Sequence, residues 1–115
     1  MLYRSRRFIV IRKAYLIQAK DGMAQEYIRR HNPIWPEIHD LLKEHCVINF
    51  TTFLHEESNQ LFCYVEIEDE ELFNKQGEKE ICKKWWKYMA EVLVCDSPDA
   101  EKGKEAELKE IFHIF

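Results

Sequence analysis

The chain has 115 residues and a formal net charge of −4, from 17 basic and 21 acidic side chains. Hydrophobic residues make up 46% and charged residues 33%, the balance of one globular domain with a thin core. The acidic excess excludes a general nucleic-acid binder, which needs a basic face, and no apolar run reaches the roughly 18 residues of a membrane span.

Arg4, Arg6, Arg7, Arg12 and Lys13 crowd the start of the chain. Residues 1–10 read as an N-terminal extension, a solvated arm without assigned function, and residues 11–115 as one domain. The first ten residues lack the apolar stretch of a secretory signal. Alternation over residues 8–19 predicts a strand, with Tyr15, Ile17 and Ala19 on one side and Ala14 and Leu16 on the other. Asp21 is placed to cap a helix beginning at Gly22, whose inner stripe is Met23, Ala24, Tyr27, Ile28 and His31. Asn32 precedes Pro33, and a residue before proline avoids helical angles, so the helix breaks there. Helical spacing resumes after Pro36 with Ile38, Leu41, Leu42 and His45.

Residues 46–55 and 60–68 predict two strands joined by the turn Glu56-Glu57-Ser58-Asn59, a hairpin. In the second strand Leu61, Cys63, Val65 and Ile67 face one way, and Phe62, Tyr64, Glu66 and Glu68 the other. Leu72 and Phe73 follow on a short amphipathic stretch. Residues 79–94 predict a helix with Ile81, Cys82, Trp85, Trp86, Met89, Val92 and Leu93 on one face. A polar loop from Asp96 to Lys104 leads to an apolar strand over 108–115. The order strand, helix, strand, strand, helix, strand is the split βαβ pattern of ferredoxin-like α+β domains, with helices on one face of a four-stranded antiparallel sheet. The other face keeps apolar side chains, Phe50 and Phe62 among them, that a second subunit would cover.

The three glycines form no phosphate loop, and there is no nucleophile elbow. His39, His45 and Cys46 match no zinc spacing, so neither a metal nor a cofactor is expected. Cys46, Cys63, Cys82 and Cys95 are widely spaced and read as buried free thiols in a reducing cytoplasm.

Two segments carry the chemistry. In Tyr27-Ile28-Arg29-Arg30-His31-Asn32-Pro33-Ile34-Trp35-Pro36-Glu37, a phenol and an imidazole stand four residues apart, on one helix face, just before the break. Histidine titrates near neutral pH and can both give and take protons. On spacing alone, His31 reads more readily as a brace for the helix end, and Tyr27 as readily as a core residue. In Cys82-Lys83-Lys84-Trp85-Trp86-Lys87-Tyr88-Met89, adjacent tryptophans project about 100° apart, so one can pack while the other reaches a pocket. An apolar core stripe fits that pattern as well. His39, His45, His55 and His113 have no comparable context and read as surface or interface residues.

These two motifs resemble the L-rhamnose mutarotase family, over nearly the whole chain from Ile11. The resemblance implies a dimeric α+β barrel and a cytoplasmic, cofactor-free isomerase that interconverts the α and β anomers of L-rhamnose or a related deoxy sugar. It implies His31 as the catalytic proton donor and Tyr27, Phe50, Trp85 and Trp86 as substrate-binding residues. Many members carry a tyrosine where Phe50 stands, so one hydroxyl is missing here. Trp35, Pro33, Pro36 and Glu37 are expected to shape the break, with Asn32 or Glu37 supporting His31. Two other readings fit the fold: a haem- or quinol-type monooxygenase, and a non-enzymatic sugar-binding module.

Overall fold

The computed structural model describes residues 9–115. In chain order these form β1 (Ile11–Gln18), α1 (Ala24–His31), α2 (Pro36–Glu44), β2 (Val47–His55), β3 (Gln60–Ile67), α3 (Glu70–Asn74), a 3-10 turn (Lys75–Glu78), α4 (Glu80–Ala90) and β4 (Ala106–Leu108). The strands lie in the order β2-β3-β1-β4 and every pairing is antiparallel, so the domain is α+β and ferredoxin-like. Most of the expected N-terminal extension, including Arg4, Arg6 and Arg7, lies outside the described residues.

Alternation in β3 sorts the sheet into two faces. Leu61, Cys63, Val65 and Ile67 are buried beneath the helices. Tyr15 and Ile17 of β1 stand opposite Cys63 and Leu61 and share that face. The main core gathers Ala19, Ile38, Leu41, Leu61, Cys82, Trp85, Met89, Val92 and Leu93, and a smaller cluster holds Val65, Ile67 and Phe73. Fully burying each large aliphatic or aromatic side chain stabilises the fold by about 1.5–3 kcal/mol. On the open face, Phe62 pairs with Leu16 on one side and Phe53 on the other, and Phe53 keeps 61% of its exposure.

Phe50 is not on that open face. Between Val47 and Asn49 the pairing slips by one residue, and Phe50 comes opposite Val65, beneath the helices. A bulge inserts an extra residue, and with a period of two that moves every later side chain to the opposite face.

Other expectations are revised at element ends. Gly22 takes a positive φ of 76° in a turn closed by Met23 N–H to the Lys20 carbonyl at 2.9 Å, so α1 starts at Ala24 without the Asp21 cap. Ile28 lies outside the inner stripe and is exposed. The helix α4 stops at Ala90 because the chain turns back to β1, where Lys20 N–H donates to the Val92 carbonyl and Val94 N–H to that of Gln18. The final strand pairs over only three residues. Beyond it Ile111, Phe112 and Ile114 are exposed. Arg12 and Lys13 belong to no solvated arm: Arg12 pairs with Glu110, and Lys13 with Glu70 and Glu107. His45 is buried, with Nδ1–H donating to the Leu41 carbonyl at 2.8 Å, so it closes α2. Among the cysteines, Cys63 and Cys82 are buried and Cys46 and Cys95 half-buried, all as free thiols.

Candidate active site

The break after α1 positions the imidazole. His31 is the last residue of α1, and the Asn32-Pro33 peptide that follows is cis. The Asn32 amide donates to the Ile28 carbonyl at 2.8 Å, which ties off the helix end. Asn32 and Glu37 are both exposed, and Asn32 spends its amide on the backbone rather than on His31.

The support for His31 comes from aromatic rings and from its own helix. Nδ1–H of His31 donates to the Tyr27 carbonyl at 3.0 Å; a carbonyl only accepts, so this nitrogen carries the proton. The rings of Tyr27 and His31 stack at 4.3 Å between centroids. Trp85 meets the imidazole edge-on at 5.1 Å and Trp35 at 4.9 Å, and Trp35 stacks on Tyr88 at 5.0 Å. Arg30 locks the two helices together. Its guanidinium lies 4.0 Å over the Tyr88 ring, donates to the Tyr88 carbonyl at 2.6 Å and pairs with Glu26 and Glu91. The guanidinium groups of Arg29 and Arg30 hold the Glu26 carboxyl down to about 2.

Two adjoining cavities, of about 290 Å³ and 560 Å³, lie between the helices and the sheet. They share six lining residues: Tyr27, His31, Phe50, Gln76, Trp85 and Trp86. The five residues singled out from the sequence therefore meet at one place. Tyr27 is buried, with its hydroxyl beside Thr52 and Cys63, and burial raises the pKa of the phenol. Burial likewise raises that of the Cys63 thiol. Trp85 is buried in the core, whereas Trp86 is half-buried.

Burial lowers the pKa of His31 below its ordinary 6.5, and the bond to the Tyr27 carbonyl opposes this only in part. This favours the neutral imidazole, in which Nδ1–H faces the Tyr27 carbonyl and Nε2 is an acceptor.

Sequence reasoning missed Gln76 and the segment 102–105. Gln76 sits in the polar run Asn74-Lys75-Gln76-Gly77-Glu78, which has the composition of a solvated turn. The turn folds inward because Gly77 lies against Trp86, where a Cβ would come within 3.0 Å of the indole ring. The loop after α4 returns to the cavity mouth through Lys104 N–H to the Val94 carbonyl at 2.9 Å. It sets the Lys102 ammonium 4.1 Å over the Trp86 ring and in an ion pair with Glu105. Lys102 and Glu105 line the smaller cavity. Among the described residues, no group of three or more His, Cys, Asp or Glu side chains gathers with metal-ligating geometry.

Residues 12–114 match the family model described as L-rhamnose mutarotase. A protein named L-rhamnose mutarotase from Lachnoclostridium phytofermentans is 44% identical over 105 residues, 91% of this chain and 99% of that protein. One of the same name from Tolumonas auensis is 45% identical with the same coverage. The crystal structure of an L-rhamnose mutarotase from Formosa agariphila is similar at a TM-score of 0.79 and 31% identity, covering 91% of this chain and 99% of that one. A Streptomyces coelicolor monooxygenase is similar at a TM-score of 0.67 but 7% identity, over 100% of this chain and 98% of that one, which is a likeness of fold alone. With residues 12–114 matched by the family model and these relatives covered almost end to end, the chain belongs to the L-rhamnose mutarotase family.

Proposed function

We propose that this protein is an isomerase that interconverts the α and β anomers of L-rhamnose, with His31 as its acid–base residue. The observation that carries this reading is an imidazole whose Nδ1–H is spent on the Tyr27 carbonyl, leaving Nε2 for a ligand, held at the wall of an aromatic cavity.

The chemistry needs little else. Nε2 takes the proton of the anomeric hydroxyl, the bond from C1 to the ring oxygen breaks, and the imidazolium returns that proton to the ring oxygen. Both oxygens are bonded to the same carbon, so one ring nitrogen can serve both. Rotation about the bond from C1 to C2 and the reverse transfer close the ring on the other face. No proton is gained or lost over the cycle. A positioned group of this kind contributes roughly 10²–10⁴-fold to the rate. Tyr27, Trp85, Trp86 and Phe50 supply the binding walls. The indole faces suit the C–H face of the sugar and its apolar C6 methyl, and an indole N–H can donate to a hydroxyl.

The working unit in this reading is a homodimer with the open sheet faces packed together. Phe53 and Phe62, paired on that face and exposed, support it. Among the described residues no helix is long and apolar enough to cross a membrane. The two buried free thiols, Cys63 and Cys82, support a cytoplasmic location.

Polarimetry of freshly dissolved L-rhamnose tests the activity. With the protein present, rotation reaches its equilibrium value much faster than without it. Equal relaxation in the two samples contradicts the reading.

A further inference from the structure

Gln76 is the one carboxamide among the six residues that both cavities share. It retains only 8% of its exposure. Its amino end is already engaged, because Nε2–H donates to the Phe73 carbonyl at 3.0 Å. That bond also fixes the orientation of the amide, since only the amino end can donate to a carbonyl. The oxygen is left with the Cys82 thiol at 3.9 Å, a long contact to a weak donor. A buried acceptor with so weak a partner, in the wall of a sugar-sized cavity, is suited to a hydroxyl donor. Phe50, in the same wall, offers no polar atom of its own.

Resting on the mutarotase reading, we propose that Gln76 Oε1 accepts a hydrogen bond from a ring hydroxyl of the bound sugar and is a specificity-determining residue of the site. The 3-10 turn that carries it is anchored against Trp86 through Gly77, so the acceptor and the indole wall are placed together.

The test compares Gln76→Met, which keeps the length and removes the acceptor, with Gln76→Glu, which keeps an acceptor and loses the amino donor. Affinity for L-rhamnose is read from tryptophan fluorescence, and anomer exchange from saturation-transfer NMR. Gln76→Met is expected to weaken binding roughly 3- to 10-fold, and Gln76→Glu, which keeps an acceptor, to weaken it less than Gln76→Met. Unchanged affinity in a folded Gln76→Met variant overturns the proposal. So does an equal loss in both variants, which would assign Gln76 to bracing the Phe73 carbonyl. Gln76→Leu serves as the second apolar variant if Gln76→Met does not fold. Because binding is read separately, a wild type that binds the sugar without exchanging its anomers sinks the mutarotase reading and leaves the Gln76 comparison decided by affinity.

Discussion

Tyr27 and His31 are joined twice: the imidazole Nδ1–H donates to the Tyr27 carbonyl at 3.0 Å, and the two rings stack at 4.3 Å with 23° between their planes. The hydrogen bond sets the tautomer and the stack sets the ring plane, so Nε2 is the nitrogen left for a ligand. The same burial that makes the stack removes water from the imidazole and lowers its pKa. Spacing, tautomer and resting charge thus follow from one turn of helix placed against Trp85.

The first consequence is a pH profile. In the proposed mechanism the imidazole must be neutral to begin the cycle, so kcat/KM should fall on the acid side with a midpoint below 6.5, the ordinary value of the group. Saturation-transfer NMR of L-rhamnose across pH 4.5–8 checks this. An acid limb centred above 6.5 would contradict the lowered pKa of His31.

Stability should follow the same group. Between the depressed folded pKa and 6.5, the unfolded chain binds a proton on His31 that the folded chain does not. Stability is then greater above this window and falls as pH drops through it. Denaturant melts of wild type and His31→Gln at several pH values measure the effect. The difference in unfolding free energy between the two proteins should shift against wild type as the medium is acidified, and a pH-independent difference would refute the assignment.

The path of the chain around Phe50 explains part of what the sequence concealed. The spacing of Tyr27 and His31 was legible, because two residues four apart on any helix share a face. So was the hairpin that carries β2 and β3, from its alternation and its polar turn. Phe50 was placed on the wrong face of the sheet because the slip between Val47 and Asn49 leaves no mark in the apolar pattern. Gln76 was hidden because its polar run folds inward only through the contact of Gly77 with Trp86, a tertiary event. Lys102 and Glu105 were hidden likewise, since the loop reaches the cavity through Val94, Gln18 and β1 rather than by local preference.

Phe50 lines the cavity wall shared with His31, and it has no hydroxyl. Phe50→Tyr should therefore lower KM for L-rhamnose by roughly 2- to 10-fold, the range of one neutral hydrogen bond, with kcat little changed. Steady-state anomer-exchange kinetics decide the point. A higher KM with normal folding would show that the added hydroxyl meets no partner in the bound complex.

Phe53 and Phe62 face away from the helices, side by side on β2 and β3. Sedimentation of the wild type at micromolar concentration should give a dimer, and Phe53→Asp, by placing a charge in that apolar contact, should give a folded monomer. A dimer that survives Phe53→Asp unchanged would place the interface elsewhere.

His31→Ala bears most directly on the whole account. Saturation-transfer NMR measures the rate at which this variant and the wild type exchange the anomers of L-rhamnose, with circular dichroism confirming the fold of both. The rate should fall roughly 10²–10⁴-fold in the folded variant. Equal rates in variant and wild type would contradict the account.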